Sequence, residues 1–246
     1  MIIGSRFIFK ETINSTNTYA YRLLQEGPLP EGTVIHANLQ MAGKGQTGNS
    51  WESEEGKNLL FSIVLFPDQI LPENQFIISM TISLGICDFL RSFVNNCKIK
   101  WPNDIYVADD KIAGILIENS IFGNRILSTI AGIGLNINQE VFLSDAPNPV
   151  SLKMLTGKSY DIGICLQQLV GELDKRYEEL LSGKLSKIKT EYISSLYKLN
   201  EWHNYKTDSL ILYGRIVSVT DTGRLQIEDS SNNMHEFSFR EIDFTR

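Results

Sequence analysis

Four stretches of the chain combine residue types able to handle an anion or a phosphate ester. The first reads Gln40-Met41-Ala42-Gly43-Lys44-Gly45-Gln46-Thr47-Gly48-Asn49-Ser50-Trp51. Glycines lack a Cβ, so the backbone can approach an anion, and successive N–H groups can form a phosphate nest to which Lys44 adds charge. No Gly-Lys-Ser/Thr ends the loop and it does not open a helix, so it is neither a P-loop nor a dinucleotide fingerprint. An ordinary glycine-rich turn has the same composition. In the second stretch, Lys100-Trp101-Pro102-Asn103-Asp104-Ile105-Tyr106, Pro102 cannot donate a ladder bond, so a strand should stop there and present Asn103 and Asp104. An amide and a carboxylate at a strand end could hold a ribose or a magnesium ion, or simply make an Asn-Asp turn. The third, Lys111-Ile112-Ala113-Gly114-Ile115-Leu116-Ile117-Glu118, starts an apolar strand with a lysine and has a glycine inside it. The fourth, Ala131-Gly132-Ile133-Gly134-Leu135-Asn136-Ile137-Asn138, has two. A glycine within a strand loses packing and marks close approach of a ligand or a backbone.

The elements that must position these residues are legible from periodicity and turn chemistry. Arg6–Lys10 alternates like a first strand, and Ser15-Thr16-Asn17 opens a helix with Tyr19, Ala20, Leu23 and Leu24 on one stripe, ending near Gly27-Pro28. Thr33–Asn38 and Leu59–Phe66 read as strands, the second buried on both faces. A long helix over Asn74–Val94, apolar nearly all round, should be heavily covered. Strands are expected over Lys98–Trp101, Ile105–Val107, Lys111–Glu118 and Arg125–Asn136, with hairpin turns at Asp109-Asp110 and Gly123-Asn124. After the turn-rich Ser144–Pro149, helical spacing runs from Ile162 to Leu181, and a further helix is expected over Leu185–Lys198. Then short strands follow at Ser209–Thr220, Arg224–Glu228 and Met234–Phe239. They make a small all-β module of about fifty residues, too small to be comfortably stable alone and so expected to dock on the main domain. The boundary falls between a domain of residues 1–200 and one of residues 201–246. No internal repeat or low-complexity tract is present.

Bulk properties bound the function. The chain has 246 residues, 42% hydrophobic and 21% charged, which suits a globular protein of one large domain plus a small one. A net charge of −6 argues against non-specific nucleic-acid binding, which needs clustered Lys and Arg. The N-terminus shows no signal-peptide pattern, and the longest apolar stretch, Phe76–Cys87, is interrupted by Ser79, Thr81, Ser83 and Gly85. That stretch is short of the roughly 20 apolar residues a membrane span needs. Three cysteines, Cys87, Cys97 and Cys165, show no C-x-x-C spacing and fit a reducing cytoplasm. The histidines His36, His203 and His235 are scattered, so no resident metal site is expected.

Taken together, Ser15-Thr16-Asn17, the Gln40–Trp51 loop, Lys100–Asp104, Lys111–Glu118 and Gly132–Asn138 occur in an order and at spacings that closely resemble the biotin protein ligase family. The resemblance covers about Phe7 to Asn138, and the β-rich tail resembles the family's C-terminal module. Its most specific part is Lys100-Trp101-Pro102-Asn103-Asp104 followed seven residues later by Lys111-Ile112-Ala113-Gly114. It implies an α+β fold, a mixed sheet with helices packed on one side followed by a small β-barrel. It also implies activation of biotin by magnesium-ATP to biotinyl-5'-AMP, and transfer to a lysine of a biotin carboxyl carrier protein or domain. By the same resemblance Ser15, Thr16, Asn17 and Gln40 would line the biotin pocket. The Gly43–Gly48 loop, with Lys44, Gly45 and Gln46, would fold over biotin and the adenylate. Lys111 would sit beside the biotin carboxylate and α-phosphate as a catalytic residue together with Lys44, with Gly114 and Ile115 giving pocket contacts. Trp51, Asn103, Asn136 and Arg240 look like nucleotide-side positions.

This sequence departs from the family where arginines are often found in the glycine loop: those positions read Lys44, Gln46 and Asn49. Lys44 keeps charge but not bidentate geometry. Relatives with an N-terminal helix-turn-helix also repress transcription. With the first catalytic strand starting near Arg6, no operator binding is expected here. The resemblance allows a monomer or a homodimer. A lipoate–protein ligase, which shares the fold and adenylation chemistry, is the enzymatic alternative, and a degenerate biotin-binding protein the non-enzymatic one.

Overall fold

The computed structural model describes residues 1–46, 48–144, 148–207 and 210–245. Thr47 of the glycine loop, part of the turn-rich segment before Pro149, and Ser209, the expected start of a strand, lie outside them. Seven strands form the main sheet: β1 (Arg6–Ile13), β2 (Thr33–Gln40), β3 (Leu59–Leu65), β4 (Cys97–Lys100), β5 (Asp104–Val107), β6 (Asp110–Phe122) and β7 (Arg125–Leu135). Their order is β1-β2-β3-β7-β6-β5-β4. Only β1 and β2 run parallel, because α1 (Thr16–Glu26) carries the chain back between them. The β4–β5, β5–β6 and β6–β7 pairs are hairpins on short turns, the last at Gly123, whose φ is 59°. Trp101, Pro102 and Asn103 make the β4–β5 turn, so β4 stops before Pro102 as its missing donor requires.

Strand β3, LLFSIVL, is buried at all seven positions, as an apolar run covered on both faces should be. Its side chains alternate between the two faces. Ile63 pairs with Ala131 and joins the core under α2 (Phe76–Leu90) and α4 (Ile162–Leu181), while Val64 pairs with Ile130 and packs with Ala20 of α1. The expected helical layer is therefore α2, α4 and α5 (Leu185–Ser194), and α1 is an addition on the opposite face. Its apolar stripe is narrow, so it covers only part of that face. A 3-10 turn at Pro72–Asn74 precedes α2, whose fourteen buried residues match its all-round apolar sequence. A five-residue helix, α3 (Leu152–Thr156), was not apparent in the periodicity. Ser151 Oγ caps it by accepting from the Met154 N–H at 3.2 Å.

The β-rich tail is a five-stranded antiparallel sheet of β8 (Trp202–Thr207), β9 (Ile211–Val219), β10 (Leu225–Asp229), β11 (Met234–Phe237) and β12 (Ile242–Phe244), ordered β11-β10-β9-β8-β12. Alternation reveals three of these. β8 escapes notice because Tyr205 is its one buried position, and β12 because it has only three residues. Tyr205, Ile216, Leu225, Ile227 and Ile242 belong to one core with the main sheet and its helices. Trp101 Nε1 donates to the Gly223 carbonyl at 2.9 Å, and the Phe239 ring lies 5.3 Å from Trp101 and 6.2 Å from Phe76. Among the described residues no helix is long and apolar enough to cross a membrane.

Candidate functional site

The α1 face of the main sheet has a glycine floor. Gly114 on β6 sits directly opposite Gly134 on β7, and Gly132 lies between Ser62 of β3 and Leu116 of β6. Period-2 alternation turns all of these to the same side as Ile130, toward α1. A Cβ on Gly134 would stand 2.4 Å from Trp51 Cε2, one on Gly114 2.9 Å from Trp51 Cζ3, and one on Gly132 2.2 Å from Asn17 Oδ1. The strand glycines thus do permit close approach, and the groups that approach are the side chains Trp51 and Asn17. Among the described residues the buried indole Nε1 of Trp51 has no hydrogen-bond partner.

Over this floor opens a cavity of about 720 Å³. One end is a largely buried polar cluster from four elements, α1, β2, β3 and β6. Gln40 Oε1, from the end of β2, accepts from the Thr16 N–H at 2.7 Å and lies 3.1 Å from the Thr16 hydroxyl. Ser15 stands at the N-cap position of α1, yet its side chain makes no cap bond; Gln40 supplies the acceptor instead. The Ser62 hydroxyl lies 2.7 Å from Thr16 Oγ1 and 2.6 Å from Asn17 Oδ1. Asn17 Nδ2 donates to the Leu116 carbonyl at 3.2 Å and to Glu118 Oε2 at 2.7 Å, which fixes its amide orientation. Ser62 and Glu118 were missed in the sequence. A lone serine in an otherwise apolar strand was the available signal, since a buried hydroxyl requires a partner.

At the centre, Lys111 Nζ is 2.7 Å from Asp104 Oδ1, with 22% of each side chain exposed, and lies 5.6 Å from the Trp51 ring. The Lys111 main chain is held by Asn148 and Val150 (2.7 and 2.9 Å). Asn103 grips Ile115 twice: its Nδ2 donates to the Ile115 carbonyl at 2.6 Å, and its carbonyl accepts the Ile115 N–H at 2.9 Å.

The other end is walled by the glycine loop and the C-terminal sheet. The loop folds on itself, with the Gly45 N–H donating to Asn49 and the Trp51 N–H to Gly43, both at 2.9 Å. Lys44, Gly45, Gln46, Asn49 and Ser50 line the cavity, as do Lys100, Asp109, Tyr197, Lys198, His203, Arg240, Asp243 and Phe244. Tyr197 donates its hydroxyl to Asp109 at 2.5 Å; burial first, and then this bond, push its pKa up, so it stays a phenol. Of the residues expected at the site, Ser15, Thr16, Asn17, Gln40, Lys44, Gly45, Gln46, Trp51, Asn103, Lys111, Gly114, Ile115 and Arg240 share this one wall. Gly43, Gly48 and Asn136 are not part of it. Gly43 is buried against Trp51, Gly48 has nothing near its Cβ position, and Asn136 is buried with its Nδ2 on the Val150 carbonyl at 3.1 Å. Among the described residues no three His, Cys, Asp or Glu side chains cluster as a metal site.

Residues 9–138 match the Biotin/lipoate A/B protein ligase family, and the chain belongs to that family. Its relatives point to one branch. The bifunctional ligase/repressor BirA of Bacillus subtilis (strain 168) is 30% identical over 237 residues, spanning 92% of this chain and 70% of the relative. Biotin--protein ligase 2 of Arabidopsis thaliana is 30% identical over 141 residues, 56% of this chain and 42% of the relative. Among solved structures, the biotin protein ligase of Aquifex aeolicus in complex with biotin and ATP matches with a TM-score of 0.81 at 24% identity, covering 98% of this chain and 99% of that one. The fold is therefore the biotin protein ligase fold.

Proposed function

We infer that the protein is an ATP-dependent biotin protein ligase, acting as a monomer or homodimer on a biotin carboxyl carrier protein or domain. The observation that carries this is the gathering of the expected residues around one cavity: a buried amide and hydroxyl cluster at one end, a lysine at the centre, and cations at the other. A volume of about 720 Å³ suits a ligand of that size. Thr16, Asn17 and Gln40 offer the donors and acceptors that a cyclic urea needs. Lys111 stands where the biotin carboxylate and the α-phosphate would meet, with Asp104 orienting its ammonium.

ATP enters as its magnesium complex. The biotin carboxylate attacks the α-phosphorus in line, forming a C–O–P mixed anhydride and expelling pyrophosphate. Such displacements need positioning and charge neutralisation rather than an enzyme nucleophile, roles assigned to Lys111, Lys44 and the loop N–H groups. The acceptor lysine, as a free amine, then attacks the anhydride carbonyl; an amide forms and AMP leaves. Closure of the loop over the adenylate would keep water out. We place the reaction in the cytoplasm, where the free, buried Cys87, Cys97 and Cys165 stay reduced. We assign no operator binding to a chain of net charge −6.

The test is pyrophosphate release from magnesium-ATP with biotin and with lipoate separately, followed by mass spectrometry of a biotin-acceptor domain. Release with biotin, and one biotinyl group gained by the acceptor, is the expected result. Release with lipoate alone would reassign the chain within its family, and none with either would make it a binding protein.

A further inference from the structure

Among the described residues, seven non-glycine residues have positive φ. Four are asparagines, which tolerate the left-handed region, and one is Ala108. The remaining two are long cations, Lys198 (φ 56°) and Arg240 (φ 72°), and both line the cavity. Strained backbone that the surrounding structure holds in place tends to collect at binding sites. Here the holding is visible. The Tyr197 N–H donates to Ile99 of β4 at 2.8 Å, and the Asn200 N–H to Ile216 of β9 at 2.9 Å, so the segment is pinned on both sides of Lys198.

The side chain is placed as firmly. Lys198 Nζ lies 5.4 Å from the centre of the Tyr197 ring. That ring is in turn braced by Asp109, by Tyr106 at 5.4 Å and by Phe244 at 6.1 Å. Lys111 has a carboxylate partner, whereas among the described residues no acidic group lies within ion-pair reach of Lys198.

We propose that Lys198 binds the β- and γ-phosphates of the nucleotide and so stabilises the departing pyrophosphate. The proposal rests on the ligase reading. The sheet order sets out the reaction axis: Asn17 and Ser62 lie over β3 and β7, Lys111 comes from β6, and the Lys198 segment is bonded to β4, two strands further on. Two strand spacings are about 10 Å. In-line displacement at a phosphorus beside Lys111 sends the leaving group away from the biotin end, toward that side. The charge fits as well. The glycine loop contributes one cation, Lys44, with Gln46 and Asn49 neutral, while a triphosphate needs several.

The variants are Lys198→Asn and Lys198→Gly, which both accept positive φ, and Lys198→Arg. Binding of α,β-methylene-ATP with magnesium and of AMP is measured by calorimetry, beside steady-state KM values for ATP and biotin. Lys198→Asn and Lys198→Gly should bind the triphosphate analogue about tenfold more weakly, the loss of roughly one charge-assisted contact. AMP affinity and biotin KM should stay within twofold, and Lys198→Arg should recover most of the loss. Unchanged binding of the analogue, or equal weakening of AMP, would overturn the proposal. The binding arms need no turnover, so a wild-type protein that binds the analogue but releases no pyrophosphate with biotin would sink the ligase reading without deciding against Lys198.

Discussion

At one end of the cavity, Thr16, Asn17, Gln40 and Ser62 come from a helix and two strands, are largely buried, and hydrogen-bond one another at 2.6–3.1 Å. At the other end, Lys44, Asn49, Ser50 and Arg240 are exposed, and the glycine loop is held mainly by its own main-chain bonds. The first end is ordered by folding itself, since each of its four side chains is hydrogen-bonded to another element. At the second, part of the ordering is left to the ligand, and local opening there costs little because few buried contacts are lost. A site that must grip a small neutral ring and then admit a protein lysine has reason to be built this way: rigid where recognition occurs, loose where substrates pass.

The largest effect should come from the point where the two ends meet. Lys111→Ala is expected to lower adenylate formation about 100-fold, the scale of losing one positioned charge stabiliser, as read from biotin-dependent exchange of pyrophosphate into ATP. Its thermal midpoint should move little, because an ion pair still open to solvent on the cavity wall contributes only about 1 kcal/mol or less. Near-normal turnover would remove Lys111 from the mechanism. Next comes Gly132→Ala, whose Cβ would lie 2.2 Å from Asn17 Oδ1. It should raise the biotin KM at least about tenfold and cost about 1–3 kcal/mol of stability through forced displacement of a packed group. Gly48→Ala is its counterpart at the loose end. There φ is 89° with nothing within 4 Å, so only conformational strain of about 1 kcal/mol applies and biotin KM should be unchanged. If the two variants behave alike, the contrast between rigid and loose ends is false.

Much of this arrangement was legible in the chain. The start of β7 after Gly123-Asn124 and the run from Ile162 to Leu181 were legible to the residue, because turn and helix chemistry are local, whereas β6 continues to Phe122, four residues past its expected end at Glu118. Lys111 and Gly114 were legible only together with the neighbouring Lys100–Asp104 stretch, through its resemblance to the family, since a lysine opening an apolar strand is by itself an ordinary solvated end. What stayed hidden depends on neighbours distant in sequence. Asn136 directly follows the strand with two glycines, yet its side chain turns into the core toward Val150, which is decided by how the chain leaves β7 beside Ile112. Gln40 displaces Ser15 as the cap of α1 from 24 residues away. Lys198 carries no local signal at all: a lysine after a tyrosine near a helix end is ordinary until the fold forces its φ positive.

A smaller loss should follow from Ser62→Ala. The Thr16 and Asn17 oxygens would lose a donor in a buried setting, costing about 1–3 kcal/mol of stability, and biotin should bind about fivefold more weakly as the cluster relaxes. Titration calorimetry with biotin alone measures this, and an unchanged Kd would show that the cluster serves folding and not recognition.

The smallest effect sought is a gain. Gln46 lines the cavity from the loose end, and an arginine there would add a planar fork able to bind a phosphate through two hydrogen bonds. Because the position is partly exposed, solvent screens most of the attraction, and Gln46→Arg should lower the ATP KM by only about threefold at low salt. The gain should shrink as ionic strength rises past about 0.15 M, where the screening length falls to about 8 Å. Biotin affinity should not move, since among the described residues no hydrogen bond connects the Gly43–Gly48 segment to Thr16, Asn17 or Ser62, whose partners are Gln40, Leu116, Glu118 and one another. A change in biotin KM instead of ATP KM would mean that the loop, and not the Thr16 cluster, faces the ring, and the assignment of the two ends would have to be exchanged.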